Sequence, residues 1–314
     1  MLHPLRILMA APRGFCAGVD RAIDIVEKAL DIFGAPIYVK HEIVHNKHVG
    51  DGLRRKGVVF VEEISEIPDH AVAIFSAHGV SREVIAEAGA RPLRVIDATC
   101  PLVTKVHLEV HKLDHEGYDI LLIGHAGHVE VIGTMGQIPA GRMRLVQNPK
   151  EAEAIEVRDP EKVAYVTQTT LSLDETAGIV SVLKRRFPRI HEPAKDDICY
   201  ATQNRQNAIK ALIPQIDLLL VIGSKNSSNS NRLVDVAKLH GVPAYLFDQP
   251  DEMDPAWFEG VTTVGLTAGA SAPESIVKAT ADSLIARYGG TTEPFILKEE
   301  HVTFSLPKEL AAAL

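Results

Sequence analysis

Three cysteines, Cys16, Cys100 and Cys199, carry the most pointed chemistry in the chain, and they lie 84 and 99 positions apart. Each ends an apolar, strand-like stretch and precedes a helix-like one, in ILMAAPRGFCAGVD, LRVIDATCPLVTKV and KDDICYATQNRQN. A thiol at a helix N-terminus is acidified, because the helix dipole favours its anion. Three such thiolates converging on one point invite a soft metal. Zinc in a structural site takes a fourth protein ligand, and no CxxC knuckle is present. An iron–sulfur cubane held by three thiolates leaves one iron open to substrate. Isolated cysteines otherwise serve as small buried hydrophobes, and it is their threefold recurrence that favours ligands.

The polar residues recur in step with the cysteines. About 28 to 30 residues after each one, an extended segment ends in a polar site: His45 after IYVKHEIV, His128 and Glu130 in LLIGHAGHVE, and Ser227, Ser228 and Asn229 in VIGSKNSSN. A later strand ends in another: His78 in IFSAHGVS, Thr169 and Thr170 in YVTQTTLS, Ser271 in GLTAGASAP. Imidazoles, hydroxyls and amides at helix N-termini suit a small diphosphate. The phosphate loops GxxxxGK[ST] and GxGxxG are both missing. HEIVH at 41–45 spells a zinc-protease string, but it follows Ile37, Tyr38 and Val39 and reads as strand running into loop, where its histidines would not share a helix face. Glu130 stands beside His128; partly buried near an anion, its pKa would rise and it could act as a general acid.

The elements that must position these groups alternate. Short apolar runs at Arg6–Ala10, Ala71–Phe75, Leu93–Ile96, Asp119–Ile123, Val163–Val166, Leu218–Ile222 and Thr262–Leu266 read as strands of parallel sheets covered on both faces. Amphipathic stretches at Asp20–Phe33, Val103–Leu113 and Gln203–Ile213 read as helices. The fold class is α/β, with a unit of strand–Cys–helix–strand–polar–helix–strand–polar occurring three times. This predicts three similar lobes with small, mostly parallel sheets around a pseudo-threefold axis, a cloverleaf. The lobes are 1–98 (Cys16, His45, His78), 99–197 (Cys100, His128, Glu130, Thr169) and 198–288 (Cys199, Ser227, Asn229, Ser271), and 289–314 form a C-terminal arm. Ligands gather beyond the carboxyl ends of such strands.

Composition sets the outer limits. With 33 Lys plus Arg against 41 Asp plus Glu, the 314-residue chain has a net charge of −8, which argues against a nucleic-acid partner. Hydrophobic residues at 46% exclude wholesale disorder. No apolar run approaches the ~18 residues of a membrane span, and the opening run before Pro12 is too short for a secretory signal. Few cysteines and no such signal point to a reducing, cytoplasmic setting.

Taken together, PRGFCAGVDRAI, HEIVHN, FSAHGVS, DATCPLVTKVH, GHAGHVEVIGTMGQ, TQTTLS, DDICYATQNRQ, GSKNSSNSNRL and TAGASAP resemble the 4-hydroxy-3-methylbut-2-enyl diphosphate reductases, the LytB or IspH family. The blocks run from about Pro12 to Pro273 in fixed order. The resemblance implies a cloverleaf fold around a [4Fe-4S] cluster held by Cys16, Cys100 and Cys199. It implies a diphosphate clasp of His45, His78, His128, Ser227, Ser228, Asn229 and Ser271, with Thr169 on the substrate hydroxyl and Glu130 as proton donor. The implied reaction is a two-electron reductive dehydroxylation giving isopentenyl and dimethylallyl diphosphate, the last step of the methylerythritol phosphate route. No flavin or nicotinamide fingerprint is present, so electrons would come from a ferredoxin or flavodoxin, with Lys184–Arg185–Arg186 or Arg54–Arg55–Lys56 as candidate docking patches. The rival readings are an aconitase-like hydro-lyase using the same open iron on a small phosphorylated substrate, a zinc hydrolase using HEIVH, and a cluster-based redox sensor.

Overall fold

The alternation of apolar and amphipathic runs becomes, in this computed structural model, a regular succession of strands and helices over the described residues, 4–311. The first stretch contains β1 (Leu5–Ala11), α1 (Ala17–Phe33), β2 (Ile37–Lys40), α2 (Lys47–Arg55), β3 (Val58–Val61), β4 (Val72–Phe75), α3 (Arg82–Gly89) and β5 (Arg94–Asp97). The second contains α4 (Pro101–His115), β6 (Asp119–Ile123), α5 (Val129–Met135), β7 (Met143–Val146), α6 (Pro149–Ala154), β8 (Val163–Thr167) and α7 (Leu173–Arg186). The third contains α8 (Tyr200–Leu212), β9 (Leu218–Ile222), α9 (Ser228–Leu239), β10 (Ala244–Phe247), β11 (Thr263–Ala268), α10 (Glu274–Tyr288), β12 (Gly290–Ile296) and α11 (Lys308–Ala311). No described helix is long and apolar enough to cross a membrane.

The strands form three parallel sheets, ordered β3-β2-β4-β5, β7-β6-β8 and β10-β9-β11-β1-β12. The α/β class and the small parallel sheets are as the sequence indicates. Each sheet repeats one topology: a central strand (β2, β6, β9), the next strand on one side, and the third (β4, β8, β11) on the other. The chain therefore reverses its direction of travel between the first and third strands, the kind of point where ligands gather beyond the carboxyl ends in open α/β sheets.

The repeat departs from the expected lobes in one instructive way. β1 pairs with β11 and β12, so the opening residues belong with the β9 sheet and not with 1–98 as a lobe. β5 lies beside β4 in the same relative place. Between β8 and Cys199 there is no strand; a single parallel bridge, Ala164↔His191, marks the corresponding position beside β8. The segment HEPAKDDI that follows is too polar and proline-interrupted to extend it. Each cysteine thus follows the position beside a third strand on the side away from the central strand, Cys16 after β1 in the β9 sheet, Cys100 after β5 in the β2 sheet and Cys199 after the bridge beside β8 in the β6 sheet. Periodicity marks a buried strand but is silent about a partner hundreds of residues away, which is why the lobe boundaries were not readable. Within the C-terminal stretch, Gly290–Ile296 form β12, in register with β1 from Leu5↔Gly290 to Ala11↔Ile296, with Pro294 on the sheet edge where no ladder donor is needed.

Two compact units hold these sheets. Residues 4–19, His45–Asp51 and Tyr200–Val302 form one; Asp20–Val44, Gly52–Cys199 and 303–311 form the other. In the first, alternate residues of the β9 sheet face opposite ways. Leu218, Leu220, Val264 and Leu266 pack with Val277 and Leu284 of α10, and Leu219 and Val221 pack with Ile209 of α8 and Leu233 of α9. In the second, Leu121 and Ile123 meet Ile179 and Leu183 of α7, while Ile120 and Leu122 meet Val106 and Val110 of α4. Burial on both faces explains the unbroken apolar strands.

Gly223 and Gly269, at the ends of β9 and β11, let the first turn of α9 approach closely: a Cβ at either would overlap the Ser230 side chain. Gly269→Ala should therefore destabilise the fold by about 1–3 kcal/mol, the range for overpacking. Urea unfolding checks this; an unchanged midpoint would mean that α9 retreats without cost.

Candidate active site

The three cysteines share one backbone anchor. The N–H of Cys100 donates to the carbonyl of Ala77 at 3.0 Å, that of Cys199 to Thr169 at 3.0 Å, and that of Cys16 to Ala270 at 3.2 Å. Each acceptor lies two residues past the end of a third strand, β4, β8 or β11. Each cysteine also immediately precedes a helix, α4, α8 or α1, and Cys100 is the N-cap of α4 with Pro101 at its first position. None is in a disulfide and all are half-buried, so the sulfur positions combine helix-dipole support with access.

In the unit carrying the β2 and β6 sheets, Glu130 is buried in the first turn of α5. Its carboxylate accepts the N–H of Thr169 at 2.6 Å and the Thr169 hydroxyl at 3.1 Å. Burial raises its pKa to about 7, against the lowering effect of the Thr169 bonds, and the charge of Asp197 adds to the rise. His128 is the N-cap of α5, its Nδ1 accepting the N–H of Glu130 at 3.2 Å. The His128 ring meets that of His78 edge to face, with centroids 6.2 Å apart, and His78 Nδ1 lies 3.3 Å from Ser76 Oγ. His78, His128, Glu130 and Thr169 therefore form one patch, tied to Cys199 through the Thr169 carbonyl.

In the other unit, Ser227 is the N-cap of α9, accepting from the N–H of Ser230. Asn229 donates through Nδ2 to Thr202 Oγ1 at 3.1 Å and accepts the N–H of Ala270 at 3.0 Å, which fixes its amide orientation. The carbonyl of Ala270 in turn takes the Cys16 N–H. The Ser271 hydroxyl donates to the His45 carbonyl at 2.9 Å, and Asn226 Nδ2 lies 3.4 Å from His45 Nδ1. Ser228 opens α9. Cys16, His45, Ser227, Asn229 and Ser271 are thus joined by short paths, a helix N-terminus among them, which suits an anion.

Three thiols, each preceding a helix and none in a disulfide, have the donor chemistry of iron–sulfur ligands. Among the described residues no three His, Cys, Asp or Glu side chains group about a single-ion position. HEIVH forms no zinc-protease helix: residues 41–46 lie outside helix and strand, and His41 has a φ of 62°. The candidate docking patches are partly engaged locally, Lys184 with Glu192 at 2.8 Å, Arg185 with Glu153, Lys56 with Glu27 at 2.5 Å, and Arg54 over the Phe60 ring.

Sequence reasoning missed several contributors. Asp197, two residues before Cys199, has a fully buried carboxylate that accepts the Thr167 N–H and the Lys105 ammonium, and burial raises its pKa. Tyr200 accepts the Ala17 N–H through its hydroxyl at 3.2 Å, and Thr202 orients Asn229. Only their adjacency to Cys199 could have flagged them.

The model of the LytB protein family matches residues 7–285. The chain belongs to the LytB family. It is 58% identical over 306 residues to 4-hydroxy-3-methylbut-2-enyl diphosphate reductase of Magnetococcus marinus, covering 98% of this chain and 99% of that one. It is also 58% identical over 307 residues to the reductase of the same name from Azoarcus sp., covering 98% of each. Among solved structures, the E-1-hydroxy-2-methyl-but-2-enyl-4-diphosphate reductase from Plasmodium falciparum superposes with a TM-score of 0.95 at 40% identity, over 99% of this LytB chain and 98% of that protein. A second, an (E)-4-hydroxy-3-methyl-but-2-enyl diphosphate reductase described as the terminal enzyme of the non-mevalonate pathway, gives a TM-score of 0.63 at 32% identity, over 90% of this chain and 99% of that one.

Proposed function

We propose that this LytB protein is a 4-hydroxy-3-methylbut-2-enyl diphosphate reductase, forming isopentenyl and dimethylallyl diphosphate in the cytoplasm. The observation that carries the reading is a single residue with two duties. Thr169 donates its N–H to buried Glu130 and offers its carbonyl to the N–H of Cys199. The residue read as proton carrier and the one read as thiolate ligand thus share one backbone unit.

Cys16, Cys100 and Cys199 would hold a [4Fe-4S] cluster. When bound, it supplies reducing electrons and an open iron for the substrate hydroxyl. The net change takes two electrons and two protons: the carbon–oxygen bond breaks, oxygen leaves as water, and the carbon skeleton gains hydrogen. The Glu130 carboxyl is protonated below about pH 7 and delivers a proton at its Oε atoms to the departing oxygen. Thr169 aligns that hydroxyl. His45, His78, His128, Ser227, Ser228, Asn229 and Ser271 hold the diphosphate, so that binding energy from this remote group orients the reacting carbon. A ferredoxin or flavodoxin supplies the electrons.

Anaerobic purification and turnover test the reading. The expected protein is brown, with about four iron per chain, and consumes a one-electron reductant in step with loss of the allylic diphosphate alcohol. Colourless, iron-free protein after cluster reconstitution would overturn it. Dehydration or hydration of the substrate without reductant consumption would establish the hydro-lyase instead.

A further inference from the structure

A basic residue follows each cysteine by five or six positions: Arg21 after Cys16, Lys105 after Cys100, and Arg205 after Cys199. Each lies on the helix that its cysteine precedes, and each reaches to the loop leading into a different cysteine. Arg21 Nη1 donates to the carbonyls of Ala98 at 3.3 Å and Thr99 at 3.1 Å, the two residues before Cys100. Lys105 Nζ donates to the carbonyls of Lys195 at 2.7 Å and Asp196 at 3.0 Å, and to Asp197 Oδ1 at 3.2 Å, just before Cys199. Arg205 Nη2 donates to the carbonyls of Gly14 at 2.7 Å and Phe15 at 3.3 Å, the two residues before Cys16. In chain order the relation closes: the helix after the first cysteine secures the second, the helix after the second secures the third, and the helix after the third secures the first.

We propose that Arg21, Lys105 and Arg205 are positioning residues that fix the three ligand-bearing loops, each for the next cysteine in the cycle. The inference rests on the cluster reading for its purpose, though not for its geometry. Arg205 makes the strongest case. It is fully buried, an expensive place for a guanidinium. Its remaining contacts are the Ala201 carbonyl and the Glu300 carboxylate. Loop carbonyls next to a sulfur ligand would otherwise be free to reorient, and a cubane tolerates little movement of its thiolates. A cation between those carbonyls removes that freedom and sets a positive charge on the loop that leads into the cysteine.

The test uses the full-length chain, purified without oxygen, with R21Q, K105Q and R205Q. After removal of iron with a chelator, timed iodoacetamide labelling and peptide mass spectrometry give a rate for each cysteine in each variant. R21Q should raise the rate at Cys100, K105Q at Cys199 and R205Q at Cys16, each about tenfold, as expected when a charge-assisted hydrogen bond restraining local opening is lost. The other two cysteines should keep their parental rates. Iron should leave each loaded variant faster than the parent, and R21K and K105R should restore slow labelling. Equal rises at all three cysteines, a rise at the cysteine on the variant's own helix, or no rise would each overturn the proposal. Should R205Q fail to fold, R205K, which keeps the charge but has one nitrogen where Arg205 uses Nη2 on Gly14 and Phe15 and Nη1 on Ala201 and Glu300, should give a smaller rise confined to Cys16; its absence overturns the Arg205 assignment. A parent that holds no iron or sulfide defeats the cluster reading alone, because the labelling pattern is read without metal.

Discussion

Glu130→Gln is expected to leave iron content and fold intact while turnover falls roughly 10²–10⁴-fold, the range for loss of a general acid. The amide has the shape of the carboxylate and can still accept the Thr169 N–H, so the patch around His128 keeps its geometry; only the transferable proton is gone. The parent should also show a pH signature. With a pKa of about 7, the protonated fraction falls as pH rises, so kcat should decline through neutrality, and that limb should vanish from the residual activity of the variant. Folding stability carries the same sign. The folded carboxyl keeps its proton at pH values where the unfolded one, with the ordinary value of 4.5, has released it. Stability from this group is therefore full below about 4.5 and declines as pH climbs toward 7. Urea unfolding at pH 5 and pH 8 should show a smaller loss in the variant. Unchanged turnover would remove Glu130 from the mechanism.

Much of this site was legible because its signals are local. Polar residues after Val- and Ile-rich runs mark where strands stop, and the first polar site of each repeat indeed begins five residues after a central strand, at His45, His128 and Ser227. HEIVH could be set aside because β-branched neighbours favour extended chain over helix. What stayed hidden depends on desolvation and on distant pairing. Arg205 reads as a solvated helix residue, since arginine is almost never fully buried without a partner, and its partner Glu300 lies 95 residues away. Nothing near β1 tells that its neighbours are β11 and β12. The bridge at His191 keeps the place of a strand without the composition of one.

Cys199→Ser should abolish turnover by a different route, and the contrast with Glu130→Gln separates ligand from acid. Serine is close in size to cysteine, and its N–H would still donate to the Thr169 carbonyl, so the local backbone and the Glu130–Thr169 bonds should survive. A serine hydroxyl, however, stays protonated where an acidified thiol is ionised, and as a hard oxygen it is a poor ligand for iron in a sulfur-bridged cluster. Iron per chain and visible absorbance should therefore fall together with activity, while the urea midpoint of the metal-free chain matches that of metal-free parent. Cys16→Ser and Cys100→Ser should behave alike, because all three cysteines share the same carbonyl anchor beyond a third strand. Glu130→Gln, by comparison, should stay brown and idle. Full iron content and activity in the Cys199 variant would refute its assignment as a ligand, and the link from Cys199 through Thr169 to Glu130 would then be only a brace.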